Sequence, residues 1–207
     1  APFTNVTDIK VGVTAANPQV VYTYLGGSSG GPRVLRLEVS SNGGDTFTSL
    51  GAPAVDPGQF GYNTYLAVSP ANINTIFIGS RDVWRSTDGG TTFTNLNGNF
   101  SVNDNYTPDQ SNAHPDQHSF AFLPGNANTF FIGGDGGIYK TTNNGANFTH
   151  LNSTLSLTQF IGLSIDPTDG NRTYGGTQDN GTQRRVTGPN PSQWQEFSGG
   201  DGGRSVV

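Results

Sequence analysis

Two kinds of stretch in this sequence carry residue types that do chemistry. In the first, His114-Pro115-Asp116-Gln117-His118 sets two imidazoles and a carboxylate at alternate positions. In an extended segment alternate side chains point to one side, so His114, Asp116 and His118 form a candidate trio for a divalent metal, with Asp135 a candidate further ligand. Neutral imidazole nitrogens and carboxylate oxygens suit such an ion. The alternative is a polar set that lines a solvated channel or is hydrogen-bonded where a loop ends, and Pro115 argues against regular strand geometry there. No cofactor is required; a divalent metal is the one these residues admit. The second kind of stretch is an Asp-Gly turn that recurs as Gly133-Gly134-Asp135-Gly136-Gly137, Thr177-Gln178-Asp179-Asn180-Gly181 and Gly199-Gly200-Asp201-Gly202-Gly203. Turn chemistry alone accounts for it, with Asp capping and Gly permitting a tight bend. Together the two patterns make His114, Asp116, His118 and Asp179 the candidate ligand-binding residues.

Composition bounds what can position these groups. The chain has 207 residues, 30 of them Gly, with Lys only at 10 and 140 and Glu only at 38 and 196. A chain rich in Thr, Asn and Gly and poor in helix formers is expected to be all-β. Ten basic against fifteen acidic residues give a net charge of −5, so a phosphate-backbone binder, which needs clustered positive charge, is not expected. No apolar run is long enough to cross a bilayer. The absence of Cys removes disulfides, thiolate ligands and Cys nucleophiles together, and the absence of Met suggests a processed or excised piece of a longer product. Abundant Thr, Asn, Ser and Gly with 12% charged residues points to an extracellular or cell-surface protein.

An internal repeat supplies the architecture. Ser40-Ser41-Asn42-Gly43-Gly44-Asp45-Thr46-Phe47, Ser86-Thr87-Asp88-Gly89-Gly90-Thr91-Thr92-Phe93 and Thr141-Thr142-Asn143-Asn144-Gly145-Ala146-Asn147-Phe148 share one pattern, and Trp194 follows at the same interval. Within it, Ser40, Asn42, Gly44 and Phe47 correspond to Ser86, Asp88, Gly90 and Phe93, and to Thr141, Asn143, Gly145 and Phe148. Asn74-Thr75-Ile76-Phe77-Ile78-Gly79 also matches Asn128-Thr129-Phe130-Phe131-Ile132-Gly133. Each unit reads as four short strands joined by turns, which is a β-propeller blade. The Asp or Asn oxygen accepts backbone N–H groups, Gly supplies a positive φ, and the aromatic ring is expected to turn into the layer between neighbouring sheets. Blades are expected at about 5–52, 60–98, 117–153 and 157–199, with a further strand beginning at 203–207. The chain is thus expected to be one propeller, or part of a larger ring. The irregular stretch from Asn97 to Gln117 interrupts the rhythm, and loops of that length are commonly functional.

The repeated turn resembles the Asp-box, or bacterial neuraminidase repeat, of sialidases, xyloglucanase-type glycoside hydrolases, sortilin-type receptors and photosystem-assembly propellers. The resemblance implies a structural role for Asp45, Asp88 and Asn143 on the blade periphery. The Gly133–Lys140 turn resembles the Asp-x-Gly-Gly motif of xyloglucanase-type hydrolases, which implies that Asp135, with Asp201, is the acid and base pair of an inverting reaction. Such a pair needs carboxylates roughly 6.5–9.5 Å apart with room for a water. A sialidase would need an arginine cluster, and no three of the Arg residues stand out. The function expected is an extracellular binding or scaffolding module for a glycan or protein surface. Its alternatives are an inverting glycoside hydrolase, or a structural subunit that pairs with other chains or the remainder of the same protein.

Overall fold

The computed structural model describes residues 6–27, 34–55, 60–97, 113–155, 160–178, 181–185, 194–200 and 202–203. The chain divides into two compact units, Ala1–Thr154 and Leu155–Val207. The first unit contains three sheets. Sheet one runs β1 (Val6–Val13), β2 (Val21–Gly27), β3 (Val34–Ser40) and β4 (Thr48–Gly51); sheet two runs β5 (Tyr65–Val68), β6 (Ile76–Gly79), β7 (Val83–Ser86) and β8 (Thr94–Asn95). Sheet three runs β9 (Gln117–Leu123), β10 (Asn126–Gly134), β11 (Gly137–Thr141) and β12 (Thr149–His150). The second unit is one sheet, β13 (Phe160–Ile165), β14 (Thr173–Thr177), β15 (Thr182–Arg185) and β16 (Trp194–Ser198). Every strand pairs antiparallel with its sequence neighbour, so each sheet is a four-stranded meander, the blade expected from the repeat. Among the described residues the one helical segment is a 3₁₀ turn at Asn152–Thr154, and no helix is long and apolar enough to cross a membrane.

Strand patterning shows why the sheets of the first unit stack. All four residues of β6 are buried, as expected of a strand covered on both faces. In β5 the two-residue period divides the strand between two cores: Leu66 and Val68 join Tyr22, Tyr24, Leu37, Ile76 and Ile78. Tyr65 and Ala67 instead join Phe77, Phe130, Ile132, Tyr139 and Phe148. The second core is largely aromatic. Phe120 stacks on Phe130 at 4.6 Å between centroids, and Phe77 meets Phe130 edge-on at 4.9 Å.

The three repeated turns have one hydrogen-bond scheme. The Ser40, Ser86 and Thr141 hydroxyls donate to the carboxylate or amide oxygen of Asn42, Asp88 and Asn143 at 2.7, 2.7 and 2.8 Å. The same hydroxyls accept the N–H of Gly44, Gly90 and Gly145 at 2.9, 2.9 and 3.0 Å. The Asn or Asp oxygen then accepts the N–H four residues on, at Thr46, Thr92 and Asn147. Asn144 sits at φ 58° where the other two turns have Gly, a conformation Asn tolerates. Only Asp88 of the three carries a charge, and the Thr92 hydroxyl and N–H, with the Ser86 hydroxyl, hold it down at about 2.

The expectation that the ring of each repeat turns into the layer between neighbouring sheets is met by Phe148 and Phe93 and not by Phe47. Phe148 is 3% exposed, Phe93 is half-buried against the first core, and Phe47 is 40% exposed. Phe93 and Phe148 each pack in the layer between their own sheet and the sheet before it in sequence. Gly90 and Gly145 follow the same rule, since a Cβ on them would lie 2.5 Å from Leu37 of sheet one and from Leu96, which directly follows β8 of sheet two, respectively. Among the described residues no sheet of the first unit precedes sheet one, so Phe47 has no such layer, and Ile9, Val11 and Val13 on β1 are exposed as well.

Candidate functional site

The first unit gathers the expected chemistry at the approach to β9. The β6–β7 turn carries this approach: Ser80 and Arg81 carbonyls accept the N–H groups of Gln117 and Asp116, both at 2.8 Å. Gln117 is 1% exposed, and its side-chain amide donates to the His114 carbonyl. Asp116 adopts φ 64°, in the left-handed region that costs a non-glycine residue of order 1 kcal/mol or more. Its carboxylate accepts a hydrogen bond from the side-chain amide of Asn63, a fully buried residue just before β5.

The β10–β11 turn closes on the same segment. Gly134 pairs with Gly137, leaving Asp135 and Gly136 as the two turn residues. Asp135 N–H donates to the Asp116 carbonyl at 3.1 Å. That approach demands glycine at 134, because a Cβ there would lie 2.4 Å from the Asp116 oxygen. Asn152 braces the turn by accepting the Ile138 N–H at 2.8 Å and donating to the Gly136 carbonyl. Thus fixed, Asp135 places Oδ1 2.6 Å from His118 Nε2. The other imidazole nitrogen, Nδ1, lies 3.2 Å from the Tyr62 carbonyl oxygen, and the Tyr62 ring stands edge-on to the imidazole at 4.9 Å. Tyr62 is 51% exposed, so an open aromatic face adjoins the His118–Asp135 pair.

The structure therefore brings His118 and Asp135 together but separates the metal trio. His114 Nδ1 is 2.8 Å from the Pro115 carbonyl, Asp116 is bonded to Asn63, and His118 to Asp135. Among the described residues no group of three His, Cys, Asp or Glu side chains is placed to hold a metal ion. The reason is the backbone at Asp116: a left-handed residue breaks the alternation that would put His114, Asp116 and His118 on one side. Asp179 and Asp201 lie outside the described residues. Their turns' described neighbours are hydrogen-bonded to one another, Gly181 N–H to the Gly200 carbonyl at 2.7 Å and Gly202 N–H to the Thr177 carbonyl at 2.8 Å. Sequence reasoning missed Tyr62 and Asn63. Their signal was weak: an aromatic and an amide directly before a strand, with no counterpart in the other repeats.

No family model matches the chain. A stretch of 61 residues, 28% of the chain, is 43% identical to a xyloglucanase of Hypocrea jecorina (strain QM6a), of which it covers 7%. Among solved structures, the chain is similar to the GH74 xyloglucanase from Xanthomonas campestris, with TM-score 0.52 and 17% identity over 93% of this chain and 32% of that one. It is also similar to the Niastella koreensis GH74 enzyme, with TM-score 0.49 and 18% identity over 92% of this chain and 38% of that one. The chain thus spans about a third of the solved xyloglucanase and a far smaller part of the curated relative. The Xanthomonas likeness agrees with the four antiparallel meanders: the chain is a β-propeller of four-stranded blades, present in part.

Proposed function

We propose that this chain is the glycan-engaging part of a larger, extracellular, glycoside-hydrolase-related propeller, and that the glycan lies against Tyr62, His118 and Asp135. The supporting observation is the exposed Tyr62 ring edge-on to a His–Asp pair. A pyranose presents apolar C–H faces and a rim of hydroxyls, which such a ring and such polar groups complement. The repeated turns belong to the Asp-box class in this proposal and serve the scaffold. Binding to a panel of plant and microbial polysaccharides that includes xyloglucan, measured by calorimetry, tests the proposal. Loss of a detected affinity in Tyr62→Ala would support it, and an affinity indifferent to Tyr62 would refute the placement.

A second reading, hydrolysis, is favoured by the 43% identical stretch shared with a xyloglucanase. In it Asp135 is one carboxylate of an inverting pair. Reducing-end release from xyloglucan, abolished in Asp135→Asn, would establish turnover; binding without release would restrict the chain to recognition.

A further inference from the structure

We propose that this chain carries N-linked oligosaccharides on Asn147 and Asn171, and that Asn152, which stands in the same kind of triplet, is not an acceptor because the fold uses its side-chain nitrogen. The Asn-x-Ser/Thr pattern occurs at Asn147-Phe148-Thr149, Asn152-Ser153-Thr154 and Asn171-Arg172-Thr173, and also at Asn5, Asn99, Asn105 and Asn180, which lie outside the described residues. In a chain this rich in Asn and Thr the pattern alone arises by chance, so structural context must decide. What separates the three described sites is the surroundings of Nδ2, the atom that takes the sugar.

Asn171 is exposed in the turn between β13 and β14, where its backbone N–H donates to Asp169 Oδ1 at 3.0 Å. Among the described residues no group bonds its side-chain amide, and a Cβ on the neighbouring Gly170 would meet nothing within 4 Å, so the space beside it is open. Asn147 is exposed in the turn between β11 and β12. Its Oδ1 accepts from Asn143 Nδ2 at 3.0 Å, while Asn143 Oδ1 accepts the Thr141 hydroxyl and the Asn147 N–H. That network settles which end of each amide is oxygen, and it leaves Asn147 Nδ2 without a protein partner among the described residues. Asn152 is the opposite case. Its Oδ1 accepts the Ile138 N–H at 2.8 Å, and its Nδ2 donates to the Gly136 carbonyl and lies 2.6 Å from His150 Nε2. A Cβ on Gly137 would collide with the same nitrogen. A sugar there replaces one of the two Nδ2 hydrogens and needs the space these groups fill, so it is incompatible with the β10–β11 turn.

In a meander the first and third turns lie at one end of the sheet and the second at the other. Asn147 is in the third turn of its sheet and Asp135 in the second, so a glycan on Asn147 stands at the end away from Asp135. It adds bulk and solubility there and leaves the Asp135 end open. In the transfer, Nδ2 of the asparagine bonds to C1 of an oligosaccharide carried on a lipid pyrophosphate. The bond from C1 to the phosphate oxygen breaks, the lipid pyrophosphate leaves with the electron pair, and one Nδ2 proton passes to a base of the transferase. The emerging chain is the substrate, so the later burial of Phe148 inside its triplet is no obstacle.

The proposal shares with the functional reading only the extracellular route. The test supplies that route: the whole chain is secreted from a yeast behind a host leader, so the result is independent of whether Tyr62 meets a glycan. Glycans are then released by amidase in heavy-oxygen water, which leaves a labelled Asp at each formerly glycosylated Asn, and the sites are mapped by mass spectrometry. The expected result is label at Asn147 and Asn171 and none at Asn152. Asn147→Gln and Thr149→Val should each abolish the first label, and Asn171→Gln and Thr173→Val the second, each with the loss of one glycan's mass from the intact chain. A secreted chain unlabelled at Asn147 and Asn171 would overturn the proposal, and label at only one would overturn the other assignment. Label at Asn152 in the folded, secreted chain would overturn its exclusion.

Discussion

Two Asp-Gly-Gly turns in the first unit are nearly the same in sequence and opposite in use. At Asp88 the carboxylate is consumed by its own turn: Ser86 Oγ at 2.7 Å, Thr92 N–H at 2.9 Å and Thr92 Oγ1 at 2.6 Å, all within four residues. At Asp135 the carboxylate ignores its own turn and meets His118, seventeen residues away on β9. A carboxylate satisfied locally can stabilise a hairpin but offers little to a ligand. One satisfied by a side chain from another strand, beside an exposed ring, is the one the proposed function uses. Asn stands in for Asp88 in the other two repeats, which a purely structural oxygen permits.

The sharpest way to break this contrast is to remove the charge from each turn in turn. Asp135→Asn is expected to abolish glycan-directed activity, whereas Asp88→Asn should leave it unchanged; equal effects, read from xyloglucan hydrolysis and binding, would erase the distinction. Next in size is the pair of rings that follow the structural turns. Phe148→Ala should destabilise the chain by about 3–5 kcal/mol in chemical denaturation, the usual result for a buried Phe, while the exposed Phe47→Ala should cost under about 1 kcal/mol. Ser86→Ala, which strips the buried hydroxyl shared by Asp88 and the Gly90 N–H, is expected to cost about 1–3 kcal/mol by the same measurement.

The smallest effect is on the acid limb of stability. Asp88 is held at about 2, below the ordinary 3.8, chiefly by its bonds to Thr92. A depressed carboxylate contributes stability that is complete above its ordinary value and is lost as pH falls from 3.8 through about 2. Asp88→Asn should flatten that part of the Tm-against-pH curve.

The fold was legible because its determinants are local. Each structural turn closes its side-chain hydrogen bonds within an eight-residue window, and β5 and β6 announce themselves by short apolar runs between turns. Burial of the rings was less legible, since it depends on which sheet lies alongside. The site was legible only in part. Asp135 and His118 stood out by type, but Tyr62 lies 56 residues from His118, and nothing local marks that contact. The expected metal trio is parted at a single torsion: Asp116 at φ 64° turns alternate residues away from one another, and its bonds to Asn63, Arg81 and Asp135 hold it there.

The central claim is that ligand chemistry belongs to the Asp135 turn and scaffold chemistry to the Asp88 turn. The most direct measurement is an NMR titration of the isotopically labelled chain with a xyloglucan oligosaccharide. The account predicts saturable shifts at Tyr62, His118 and Asp135, with Ser86 through Phe93 unmoved. Shifts centred on Ser86–Phe93, or on neither turn, would contradict it.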